Sequence, residues 1–275
     1  MTITKEAIQE LAQAEAISAA NEAVINATIQ GAPVATLPQH FNLHELEKFM
    51  PARRRQRGAM ATNTVVDFAA YVLKHRQEGA SVFVDQQAMQ AQAVLNLGTT
   101  AVPGHADDLA VMKARPTAAF SALCKHTVGT GLTQREAAEF LEDWQPAIEL
   151  FKDAARVPTP LGIEAVRSIT IEAQRKGTNT EQSLGIQRST FESVQAGSEK
   201  PLPTHIHFKC VPYQGLGERT FVLRLGVITG DPLKVVLRII NREQHDEEMA
   251  AELAALVRQA LTDLPVLLGT YSRKD

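Results

Sequence analysis

Aromatic residues make up only 5% of this 275-residue chain, and Trp144 is its single tryptophan. That scarcity counts against a binding surface built on rows of stacking rings. Cysteine is scarcer still, with Cys124 and Cys210 each set in an apolar pattern. Two such thiols make neither a disulfide framework nor a CxxC pair, and buried free cysteines in a reducing cytoplasm are expected. No apolar run approaches the roughly 20 residues that cross a bilayer. Glu6, Glu10, Glu15 and Glu22 interrupt the N-terminus where a secretory leader would be apolar, so a cytoplasmic protein without membrane contact is expected. Positive charge is not in excess either. The net charge is -3, so any affinity for nucleic acid must rest on a local patch. A phosphate-binding glycine loop, a zinc-protease motif and a nucleophile elbow are all missing. No catalytic residue, cofactor or metal is assigned, and a non-enzymatic role is expected, although an active site dispersed across a fold leaves no local pattern.

What the chain does have is a C-terminal third with three strand-like runs, at residues 204–211, 219–229 and 234–242. Each alternates apolar and polar residues. One face reads Ile206, Phe208, Cys210, then Phe221, Leu223, Leu225, Val227, then Val235, Leu237, Ile239. The other carries His205, His207, Lys209, Arg224, Lys234, Arg238 and Arg242, with no carboxylate among them. Side chains on a strand alternate sides, so the pattern predicts an antiparallel sheet with one buried face and one basic face. Gly215-Leu216-Gly217 reads as a turn joining two of these strands. Met249, Leu253, Leu256, Val257, Ala260, Leu261 and Leu264 recur at helical spacing and predict a last helix that covers the apolar face.

The rest of the chain reads as mixed α and β. Residues 3–29 are alanine-rich and lack Gly and Pro, which predicts a helix ended by Gly31 and Pro33. Its thin apolar stripe suits an arm that mediates oligomerisation. Strands are expected at 58–62, 81–85, 92–97 and 108–113, with a further strand near 187–194. Thr64 and Asp67 open one helix, and Pro116 sits in the first turn of the next. Thr133 and Glu136 form a capping box for a helix expected to run to about Phe151, with an acidic side at Glu139, Glu142 and Asp143. A helix over 161–173 should follow the prolines Pro158 and Pro160, which mark a boundary. The fold class expected is α+β, organised as an N-terminal helix (1–32), a mixed region (33–157) and an antiparallel sheet with its helix (158–275).

Four features carry candidate chemistry. Arg53, Arg54, Arg55 and Arg57 offer guanidinium forks that match phosphate oxygens, and equally suit a solvated loop paired with Glu45 and Glu47. The basic sheet face could track a nucleic-acid backbone. It is also the ordinary wet side of a one-sided sheet, and Val222, Val236 and Ile240 interleave with its charges as at a protein interface. His205 and His207 share a strand face, but Cys210 falls on the opposite side, so a three-ligand metal set does not form. Finally, Gly104-His105-Ala106-Asp107-Asp108 holds a possible loop site at His105, Asp107 and Asp108, in residue types that also build ordinary turns.

Residues 91–97 (AQAVLNL), the Pro103–Asp108 stretch and residues 133–144 (TQREAAEFLEDW) together resemble the YfdQ-like family of phage and prophage proteins. So do the alanine-rich opening helix, VATLP at 34–38 and PVLLG at 265–269, so that the resemblance covers nearly the whole chain. The family is known as a domain of unknown function, and it implies no catalytic residue. It does imply a phage or prophage origin and an early-region setting, among genes of recombination and DNA metabolism. The expectation that follows is a homo-oligomeric accessory protein acting on nucleic acid through a local basic surface. The alternative is a protein-binding antagonist of a host defence complex.

Overall fold

The computed structural model describes residues 4–29, 47–169, 200–228 and 233–272. The chain divides into two units, Met1–Gln56 and Arg57–Asp275. In the first unit, α1 (Lys5–Ile29) is the 25-residue helix expected from the alanine-rich opening. Ile8, Leu11, Ile17 and Ile25 are exposed on it.

The second unit is α+β, built on two five-stranded sheets. The first is mixed and contains β1 (Gly58–Thr62), β2 (Ser81–Asp85), β3 (Gln90–Val94), β4 (Asp108–Lys113) and β10 (Val266–Leu268). Its order is β1-β4-β3-β2-β10, with parallel pairing at both edges and an antiparallel centre. The short β10 was not anticipated. Pro265 accepts a hydrogen bond from the Val82 N–H (2.9 Å), and the Gly269 N–H donates to Val84 (2.9 Å), so PVLLG lies along β2. The second sheet is wholly antiparallel and contains β5 (Ile148–Lys152), β6 (Ala155–Val157), β7 (His205–Cys210), β8 (Arg219–Ile228) and β9 (Lys234–Ile239), in the order β6-β5-β7-β8-β9.

Helices seal both sheets. Thr64 caps α2 (Val65–His75), accepting from the Asp67 N–H at 3.2 Å, and Phe68, Ala69 and Val72 face inward. Thr117 caps α3 (Ala118–His126), so that Pro116 falls just outside the helix. In α4 (Gln134–Asp143), the Thr133 hydroxyl accepts from the Glu136 N–H while the Glu136 carboxylate accepts from the Thr133 N–H (2.8 Å). These bonds hold the Glu136 carboxyl below its usual range. α5 (Thr159–Arg167) has Pro160 in its first turn and packs on β5. α6 (Arg242–Ala260) packs on α2 and β10, and its first turns reach the second sheet where His245 meets Phe221. One continuous core runs through all of this, from Val82 and Ala91 to Phe208, Phe221 and Leu237.

The helix expected from Thr133 to Phe151 is shorter than that. It stops at Asp143, and residues 148–152 form β5 instead. The cause is Pro146, which has no N–H to continue the α-helix; the chain makes a single 3-10 turn at Gln145–Ala147 and then enters the strand. Beyond it, Ile148 and Leu150 are buried while Glu149 faces out, the alternation of a strand. β5 then turns at Asp153, in left-handed backbone (φ 55), into β6. The strand expected near 187–194 lies outside the described residues. Leu150 is fully buried between β6 and β7. Leu150→Ala is expected to cost about 2–5 kcal/mol, read as a shift in the denaturant midpoint, the cost of a large-to-small core change. A strand held only at its ends would lose much less.

Candidate binding face

The outer face of the second sheet is set by its register. Ile206, Phe208 and Cys210, with Phe221, Leu223, Leu225 and Val227 and with Val235, Leu237 and Ile239, all point into the core. Period-two alternation sends their neighbours to solvent. Cross-strand partners then line up in a row: Arg156 opposite Phe151, Phe151 opposite His205, His205 opposite Arg224, and Arg224 opposite Arg238. A second row runs Glu149, His207, Val222. The Phe151 and His207 rings pack at 4.4 Å between centroids, tilted by 37°.

The sequence-predicted cations are not equivalent here. Lys209 is ion-paired with Glu218 (2.8 Å). Lys234 reaches the carbonyl of Thr130 (3.3 Å) in the turn before α4, whose Leu132 exchanges two backbone hydrogen bonds with Val235 on β9. Arg242 leaves the face altogether. It opens α6, is held by Asp246 (3.0 Å), and lies over the Phe120 ring at 5.8 Å. The face is also not free of carboxylates. β5 brings Glu149 opposite His207, where it pairs with Arg156 (2.9 Å). Arg224 and Arg238 remain: both are exposed, they lie directly opposite each other, and neither has an acidic partner among the described residues.

The two histidines differ in setting. His205 is half-buried, with the Thr204 hydroxyl 3.0 Å from its Nδ1. Burial is the main cause that pushes its pKa below the usual imidazole value, Arg224 and His207 add to it, and Asp153 opposes it. His205 is therefore held neutral beside the arginines. Among the described residues, no three His, Cys, Asp or Glu side chains come together to hold a metal ion.

Phe151, Arg156 and Glu149 are the residues that sequence reasoning missed. The helical reading of 133–151 hid β5, which carries Phe151 and Glu149 and pairs with β6, where Arg156 sits, and Pro146 was the signal available. Beside them an open groove of about 1110 Å³ is lined by Trp144, Pro146, Glu149, Arg156, His207, Lys209 and Glu218 among others. Its Arg156–Glu149 and Lys209–Glu218 pairs are internally neutral. On α4, the acidic side is largely answered by Arg135–Glu139 (2.7 Å) and Arg167–Glu142 (2.7 Å).

The His105 loop is a structural clasp. Asn96 is buried. Its side chain donates to Asp107 (2.9 Å) and accepts from the Asp107 and Asp108 N–H groups (3.1 and 3.0 Å). Backbone passes so close that a Cβ on Gly104 would lie 2.0 Å from the Asn96 carbonyl oxygen. Asp108 is buried at the start of β4, and burial raises its carboxyl above the usual range. His105 is exposed and takes no part. Of the arginine cluster, Arg53, Arg54 and Arg55 belong to the first unit, where the Arg54 N–H donates to Glu47 (3.0 Å), and Arg57 begins the second. Cys124 and Cys210 are both free, and burial pushes the Cys210 thiol up to about 11.

Fold and face together define an α+β protein with a one-sided antiparallel sheet whose wet side carries a row of arginines and rings. Residues 5–271 match the family model described as "Uncharacterized conserved protein (DUF2303)", and the chain belongs to that family. No curated protein and no solved structure matches it. No helix among the described residues is long and apolar enough to cross a membrane.

Three outcomes follow. Asn96→Ala should cost about 1–3 kcal/mol in thermal or denaturant unfolding, because it strands buried N–H groups. His105→Ala should stay within about 0.5 kcal/mol of the parent. The lowered pKa of His205 means the unfolded chain binds its proton more readily than the folded one. Its contribution is whole above the ordinary imidazole pKa near 6.5 and is lost as pH falls below that value. His205→Gln should therefore flatten the stability profile between pH 7 and pH 5, measured by denaturant titration; an unchanged slope would contradict the assignment.

Proposed function

We propose that this protein binds nucleic acid through the outer face of its second sheet, as a non-enzymatic, homo-oligomeric accessory of DNA metabolism or recombination in the cytoplasm. The single observation that carries this reading is the Arg224–Arg238 pair. Like charges directly opposite on neighbouring strands repel, and among the described residues no carboxylate relieves them. Guanidinium groups so placed are matched by phosphate oxygens, which accept two parallel hydrogen bonds from each fork. The resemblance to YfdQ-like phage and prophage proteins supports the DNA-metabolism setting. The exposed Ile8, Leu11, Ile17 and Ile25 of α1 support self-association.

A second reading is an antagonist that docks on a host defence complex. It draws on the groove beside Trp144, where two matched ion pairs stand with the Asp143 carboxylate, and on Val222, Val236 and Ile240, a mixture of apolar and polar groups that suits a protein surface.

Arg238→Glu separates function from folding. It places a carboxylate opposite Arg224 and should raise stability by about 0.2–1 kcal/mol, the value of a cross-strand ion pair. In fluorescence anisotropy with labelled DNA at low salt, it should weaken binding by roughly tenfold or more, the loss of a charge-assisted hydrogen bond. Parent and variant binding equally, or the folded parent binding no nucleic acid at all, would overturn the reading.

A further inference from the structure

We propose that the nucleic acid taken by this face is single-stranded, with a base stacked on the Phe151–His207 ring pair and the adjoining backbone led across Arg224 and Arg238. This rests on the nucleic-acid reading above and narrows it to one form of ligand. The first support is registry. Phe151, His205, Arg224 and Arg238 occupy one line perpendicular to the strands, on β5, β7, β8 and β9. Three strand spacings separate the ring from the last guanidinium, about 14 Å. A single strand alternates bases and phosphates along such a path and can present both to one line.

The second support is the placing of Phe151. Its ring lies on the wet side of the sheet, half-buried against His207, while the core is on the opposite side. A phenylalanine there adds little to the core, and its π-face is suited to an unstacked base. A duplex keeps its bases stacked inside and offers a flat sheet only its phosphates. Proteins that read duplex insert a helix or a two-stranded ribbon into a groove, and the middle of a five-stranded sheet is neither.

The third support is the charge count. Two arginines without an acidic partner among the described residues are a small electrostatic footprint for a chain of net charge -3, so phosphate contacts alone give weak binding. Stacking supplies a further contribution that is tolerant of sequence. His205, held neutral between ring and arginines, adds no charge of its own and leaves the phosphates to Arg224 and Arg238. On the other side of Phe151 the groove carries two matched ion pairs and the Asp143 carboxylate, so the favourable path runs from the ring toward β9. DNA and RNA single strands share this chemistry, and the face as described does not depend on a 2′-hydroxyl.

The test is fluorescence anisotropy on the full-length protein at low salt, with labelled oligothymidylate and oligouridylate of about 20 nucleotides and a DNA duplex of the same length. At least one single strand should bind about tenfold or more tighter than the duplex. Phe151→Leu, which keeps apolar bulk but removes the ring, should weaken single-strand binding by roughly 5- to 100-fold and leave duplex binding unchanged. Phe151→Trp should retain the parent affinity, which shows that a ring and not merely a fold is needed. If the duplex binds as tightly as either strand, or Phe151→Leu binds single strands like the parent, the single-strand proposal is overturned. In that outcome a loss of binding in Arg238→Glu would leave the broader nucleic-acid reading standing. If the folded parent binds none of the probes, both fail; a stoichiometric complex with a host protein and no nucleic acid would have the same meaning.

Discussion

Everything proposed here depends on the antiparallel register that locks β7, β8 and β9 together. Ile206 pairs with Leu223 and Leu223 with Ile239, all of them buried, and the ladder leaves no freedom to slide. A slip of one residue would send this set to solvent and drive Arg224 and Arg238 into the core. The magnitudes show which effect wins. Each large apolar side chain buried contributes about 1.5–3 kcal/mol. The repulsion between two exposed arginines opposite one another is about 0.2–1 kcal/mol. The core therefore dictates the register, and the like-charged row is a tolerated consequence that a ligand can relieve.

That row is more selective than a broad basic surface. Glu218 answers Lys209, Glu149 answers Arg156, Lys234 leans on the Thr130 carbonyl, and Arg242 turns away to Asp246. Burial keeps His205 neutral. Partly exposed ion pairs are worth little to stability, but they remove long-range attraction from one side of the face and leave it on the other. The result is a short, directional site: a ring pair at one end and two guanidinium groups at the other.

The alternation of the three C-terminal strands was legible because period two is a strong local signal with one face buried. So were α2 and α4, whose caps at Thr64 and Thr133 are written in adjacent residues. β5 was misread as helix because the stripe of Ala137, Phe140 and Leu141 runs on into Ile148 and Phe151 with only Pro146 between, and with it went Phe151, Arg156 and Glu149. β10 is too short to show a period, and it exists only because β2 offers it an edge. Similarly, Asn96 and Gly104 show their importance only in three dimensions, where one backbone rests on another. Which cations stay unpaired is also a tertiary fact, since Glu149 on β5 and Arg156 on β6 reach the face from far away in sequence.

The most direct measurement of the central claim is the salt dependence of single-strand binding for the parent and for Arg224→Ala/Arg238→Ala. If the two arginines hold phosphates, each loss should reduce the slope of log affinity against log salt by about 0.7, the counterion release expected for one contact to a single strand. Identical slopes in parent and double variant would mean that the phosphates lie elsewhere, and would contradict the account.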